Sequence, residues 1–301
     1  MQIKVKEPRA VSFQLAELRL QGWQSGDNAH DKTPLCICLH GWLDNANSFL
    51  PLAHALPDVQ LLAIDLPGHG LSQHRSSDAH YHFLDWVDDV LQLIQTLGGK
   101  PVHLIGHSMG GMIAGVFAAT FPEYVKSLVL LDSIGLVTAP ESNSTHQLRQ
   151  ALLSRQKSRE KRLDKHRPYY STVLDAAKAR QQQSDFGLAE ALLLAERGTK
   201  EVTAKDGKGS CYTWSADLRL REKSAYRLSL AQASQFIIDI QAPTLLLMAT
   251  EGIELMAQAR PQFLPLYPSL QYREMKGGHH LHMTHNTEVA AQIRSFLLQQ
   301  N

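Results

Sequence analysis

The sequence predicts an α/β protein: an eight-stranded, mostly parallel sheet with helices on both faces and an inserted helical cap. Three observations point there. Short β-rich runs alternate with longer helical patterns along most of the chain. The alternation halts after "LVLLDS" for about a hundred residues and resumes at "APTLLLMA". Finally, "LIGHSMGGMIAG" (104–115) passes from an apolar run into a helical pattern through a serine crowded by glycines.

Taken in order, strands are expected near 11–16 and 18–24, then at "LCICLH", "QLLAIDL", "VHLIGH", "SLVLLD", "TLLLMA" and "LQYREM". Each is a short run rich in β-branched and aliphatic residues, continuous where both faces are to be buried. Helices are expected at about 46–56, 82–97, 109–120, 256–265 and 287–299. Residues 1–133 and 237–301 then form one core, and 134–236 a cap whose stretches, such as "LAEALLLAERGTKEV", are helix-prone and polar on one side. Residues 149–167 carry eight Lys or Arg against two acids, which reads as a solvated helix face before an anion-binding patch.

Composition narrows the partners. Hydrophobic residues make up 44% of the 301, and 30 basic side chains face 29 acidic ones, so no whole-chain field gathers nucleic acid or an anionic membrane. Cys36, Cys38 and Cys211 form no even framework and read as reduced thiols. The opening "MQIKVKEPRA" lacks an apolar signal core, and no window reaches the roughly twenty apolar residues of a membrane span. A cytoplasmic protein acting on a small molecule is expected, without a metal; its oligomeric state is not legible.

Ser108 sits in GHSMG, where a strand must become a helix within a few residues. So sharp a bend strains the serine backbone and lifts the hydroxyl above the sheet edge. Gly106 and Gly110 avoid collisions in it, and Gly111 allows close packing of helix on sheet. A serine hydroxyl needs a base to become nucleophilic. "MKGGHHLHMTHN" offers His279, His280, His282 and His285 after the last strand; His279, following two glycines, is favoured, with His280 and His282 as pocket or surface residues. Oxyanion donors are expected from the Met109 amide and from the Trp42 amide in "HGWLDN", with the Trp42 indole walling the pocket. His40, Gly41, Asp65 and His69 read as turn-making. For the acid, Asp132 leads over Glu251 and Glu254.

HGW, DLPGHG, GHSMGG and GGH, in this order and spacing, resemble the α/β-hydrolase superfamily. "HGWLDNANSF", "LLLAERGTK" and "GGHHLHM" are similar to its serine hydrolase-like, cap-bearing branch. The resemblance implies the α/β-hydrolase fold, no cofactor, substrates entering between cap and core, Ser108 as nucleophile, His279 as base, and Trp42 and Met109 as oxyanion donors. It also implies an acid after the seventh strand, where this chain has Gly252; some relatives use the sixth-strand position, which is Asp132 here. The expected activity is a carboxylesterase-like cleavage of a small, largely apolar acyl substrate. A carbon-carbon bond hydrolase and a non-catalytic binding or scaffold protein are the alternatives.

Overall fold

The computed structural model describes residues 7–26, 35–163, 167–204 and 209–300, without the side chains of 161–163. The first residues of the N-terminal stretch and residues 164–166 of the basic run lie outside the described set. The eight expected strands all form: β1 (Arg9–Gln14), β2 (Arg19–Gln24), β3 (Leu35–Leu39), β4 (Gln60–Ile64), β5 (Val102–His107), β6 (Val125–Leu131), β9 (Thr244–Glu251) and β10 (Leu270–Gly278). They make one sheet in the order β1-β2-β4-β3-β5-β6-β9-β10. β1 pairs antiparallel with β2 and β2 with β4, while the rest run parallel.

Alternation along the central strands separates two cores. Ile37, Leu39, Leu104, Leu128, Leu130 and Leu246 face α2 (Asp85–Thr96) and α3 (Met109–Thr120). Cys36, Cys38, Ile105, Val129, Leu131 and Leu247 face the opposite layer, α1 (Leu50–Ala55) and α10 (Asn286–Leu298). The two strand cysteines are thus small buried apolar groups. Burial pushes the Cys36 thiol up to about 12, and all three cysteines are free.

The segment between β6 and β9 holds α4 (Ser144–Leu163), α5 (Val173–Gln181), α6 (Leu188–Gly198) and α7 (Leu230–Ile238). It also holds an antiparallel hairpin, β7 (Thr199–Thr203) with β8 (Ser210–Trp214). The helix-prone pattern runs on through "TKEV", but the helix stops at Gly198, where a Cβ would stand 2.8 Å from the Trp214 ring. α7 returns to the main core, its Ala233 and Ile237 clustering with Ile113 and Phe117. The eighth and ninth helices are α8 (Glu254–Phe263) and the one-turn α9 (Leu281–Thr284). Among the described residues no helix is long and apolar enough to cross a membrane.

α3 lies close to the sheet because Gly110 and Gly111 in its first turn carry no side chains. A Cβ on Gly110 would stand 2.0 Å from the Leu39 carbonyl oxygen, and one on Gly106 would stand 2.4 Å from the Gly111 Cα. Backbone atoms cannot swing aside. Gly110→Ala is therefore expected to cost about 1 to 3 kcal/mol in urea unfolding as an overpacking change; an unchanged midpoint would show that the helix can retreat freely.

Candidate active site

Strand register brings the site together. His107 pairs with Leu131, and Leu131 with Leu247, so Ser108 and Asp132 leave adjacent parallel strands at the same level. Both residues leave with positive φ, +51° at Ser108 and +41° at Asp132, a region that L side chains rarely adopt. The surroundings hold them there. The Ser108 N–H donates to the Leu131 carbonyl (3.2 Å), and its own carbonyl accepts from the Gly111 and Met112 amides and from Ser133 Oγ (2.7 Å). The Asp132 N–H donates to the Leu247 carbonyl at 2.8 Å.

The Asp132 carboxylate is fully buried. Its Oδ1 accepts from the Ala249 amide (3.0 Å) and its Oδ2 from His279 Nδ1 (2.6 Å). A ring that donates from Nδ1 keeps its Nε2 lone pair free to take a proton. The His279 backbone is tied to the residue before Ser108 as well, because His107 Nε2 donates to the His279 carbonyl at 2.9 Å. Glu251 and Glu254 are exposed. A Cβ on Gly252 would fall 2.6 Å from Asp132 Oδ2, so the sixth-strand carboxylate fills the space that a side chain at 252 would use.

Met109 opens α3, where its N–H has no acceptor within the helix. Trp42 lies in the turn after β3, ahead of Leu43 with φ +62°. Its indole Nε1 donates to the Leu220 carbonyl of the inserted segment (3.0 Å), and the residue remains 49% exposed. His40 bridges two loops, donating from Nδ1 to the Gly41 carbonyl and accepting from the Leu66 amide. Asp65 receives the Ala46 and Leu71 amides and the Arg197 guanidinium of α6. His69 packs edge-on against His40, and burial, then the His40 charge, lowers its pKa to about 3.

Of the surface and pocket settings expected for two histidines, burial removes the surface one: His280 is 8% exposed and His282 fully buried. A polar cluster that sequence reading missed surrounds them. His280 Nδ1 meets Asp185 Oδ1 at 2.5 Å, its Nε2 faces Asp44 Oδ2 at 3.3 Å, and Arg180 binds the other Asp44 oxygen at 2.8 Å. Burial works against charge on His280, yet Asp44 and Asp185 outweigh it and raise its pKa to about 9. Asp44 is held well below the carboxylate range: burial is again the opposing effect, overcome by His280 and Arg180. His107 Nδ1 and both His282 ring nitrogens are buried without a hydrogen-bond partner among the described residues, and burial, then neighbouring histidines, depresses both pKa values.

Asp44, His107 and His280 bring one ligand-type atom each to within 4.8 Å of one another. Two carboxylates there already face one guanidinium and one imidazolium, so the charges balance without an added cation. Only Asp44 had a local signal, its place in the HGW loop; "QQQSDFG" gave none for Asp185. A cavity of about 270 Å³ beside Pro140, Gln147, Tyr226 and Gln232 includes none of these residues.

This fold and elbow define an α/β hydrolase. Residues 34–286 match the family model described as the alpha/beta hydrolase fold, and the chain belongs to that family. It is 32% identical to a serine hydrolase-like protein of Danio rerio over 95% of this chain and 86% of the relative. It is 31% identical to serine hydrolase-like protein 2 of Homo sapiens over 88% and 87% of the two chains. A crystal structure of a hypothetical protein from Pseudomonas aeruginosa superimposes with a TM-score of 0.86 at 31% identity, covering 97% of this chain and 99% of that one.

The Asp132–Gly252 contact makes a testable exchange. Asp132→Gly should remove most activity, and adding Gly252→Asp should restore at least about tenfold by presenting a carboxylate to His279 from the seventh strand. A double variant no better than Asp132→Gly, measured by kcat on one ester, would show that the two positions are not interchangeable.

Proposed function

We propose that this chain is a serine hydrolase that cleaves a carboxylic ester, or a related acyl compound, of a small and largely apolar molecule. The observation that supports this most is the 2.6 Å bond from His279 Nδ1 to Asp132, with the His279 carbonyl tied to the residue preceding Ser108. His279 Nε2 takes the Ser108 proton as Oγ attacks the carbonyl carbon. The Met109 and Trp42 amides stabilise the oxyanion. His279 then passes the proton to the leaving alcohol, leaving an acyl-serine. Water, deprotonated by the same ring, attacks that ester, and the proton returns to Oγ as the acid departs.

Asp132 serves this cycle by fixing the tautomer and stabilising the imidazolium. Burial of its carboxylate with a backbone amide on the second oxygen suits that role. The inserted segment acts as a cap over the cleft, with Trp42 and Met109 lining the substrate side. No group outside the chain is needed. The names of the relatives agree with this class of chemistry without specifying a substrate.

A fluorophosphonate probe should label the wild-type protein and not Ser108→Ala. His279→Gln should reduce kcat on a short p-nitrophenyl ester by roughly 10³-fold or more, and Asp132→Asn by roughly 10³- to 10⁴-fold. Turnover of a vinylogous diketone with none of esters would move the assignment to carbon-carbon hydrolysis. Labelling that survives in Ser108→Ala would remove the serine from the mechanism.

A further inference from the structure

We propose that Asp185, in the turn between α5 and α6, is a positioning residue for this reaction: it holds the backbone at His279–His280 so that the base faces Ser108. The inference rests on the serine hydrolase reading above.

Asp132 orients the His279 ring, yet the ring's place also depends on the backbone that carries it. That backbone leaves β10 through Gly277, with φ +132°, and Gly278, two residues that supply no stiffness of their own. Two outside contacts compensate. His107 holds the His279 carbonyl from the core side. From the inserted segment, Asp185 Oδ2 accepts the His280 N–H at 3.0 Å while Oδ1 takes the ring Nδ1 at 2.5 Å, so one carboxylate grips the peptide and the side chain of the residue next to the base.

The approach is intimate. A Cβ on Gly278 would stand 2.3 Å from Asp185 Oδ2, so glycine there makes room for the carboxylate. Neighbours then lock the grip. Phe186 sets its edge against the His280 ring, with centroids 4.7 Å apart, and Arg180 lies over the Phe186 ring while binding Asp44. Asp44 meets the far side of the His280 ring. Arg180, Asp185 and Phe186 all come from the inserted segment, whereas Asp44, His107 and His280 come from the sheet side. The base is therefore in register only while the inserted segment is seated on the sheet.

Asp185 acts through His280 and not on substrate. Its removal should lower kcat while leaving KM nearly unchanged, because a displacement of about 1 Å at a reacting group costs on the order of 10²-fold. The experiment compares wild type, Asp185→Ala and Asp185→Glu on one p-nitrophenyl ester, with active sites titrated by the acyl-enzyme burst and melting followed in parallel. The expected result is a roughly 10- to 100-fold fall in kcat per titrated site for Asp185→Ala, with most of it recovered in Asp185→Glu. Unchanged kcat per site in Asp185→Ala, or a loss accounted for by fewer active sites and a lower melting temperature, would overturn the proposal.

A second measurement needs no turnover. The downfield Nδ1 proton of His279, identified by its absence in His279→Gln, should be sharp in wild type and broadened in Asp185→Ala; an unaltered signal contradicts the proposal. Should wild type neither label nor turn over, the hydrolase reading fails by itself, and this signal still decides whether Asp185 holds the ring.

Discussion

The bend at Ser108 is the constraint from which the rest of the site follows. A strand can hand over to a helix in one residue only if that residue accepts φ near +51° and the helix starts almost against the sheet. The strain is local, while its compensation is spread over β6 and α3. Leu131 and Ser133 on one side, and the first amides of α3 on the other, engage both polar groups of the Ser108 peptide unit. Closeness of helix and sheet then dictates glycine at 106 and 110, where any Cβ would meet backbone. The hydroxyl is left at the edge of the sheet, at the level where Asp132 leaves the next strand.

That adjacency explains how a carboxylate from the sixth strand reaches the His279 ring. The carboxylates that two neighbouring strands could supply compete for one space beside the His279 ring, and a single side chain fills it. In this chain the occupant is Asp132, and position 252 is reduced to glycine to accommodate it. Asp132 shares the positive φ of Ser108, so the exit from β6 is bent as sharply as the exit from β5. Two residues with positive φ thus leave adjacent strands at one level, and the carboxylate of the second meets the His279 ring.

What the sequence made legible was local. The eight strands showed because each carries its own apolar run, and Ser108 and His279 showed because glycines mark the turns that hold them. The hairpin β7–β8 was hidden by the helix-prone residues before it, although "TKEVT" and "SCYTW" hold enough β-branched and aromatic residues to have signalled strands. Asp185 and Arg180 were not legible at all. Their partners are 95 and 136 positions away, and nothing in a polar stretch of the inserted segment announces which charged side chain will meet a loop of the sheet. The burial of His280 was hidden for the same reason: the charges that make it tolerable lie elsewhere in the chain.

Those distant charges also account for how the inserted segment is fixed. Arg197 reaches Asp65, Arg180 reaches Asp44, Asp185 reaches His280, and Trp42 reaches Leu220, each tie ending on a loop that follows a sheet strand. Buried ion pairs contribute little net stability after desolvation, but a pair broken by displacement leaves a buried charge without its partner at a cost of several kcal/mol. An apolar contact between the two layers could slide by an ångström with little loss. A carboxylate aimed at one peptide N–H and one ring nitrogen cannot, so these directional ties fix the inserted segment against the loops around His279 more strictly than apolar packing would.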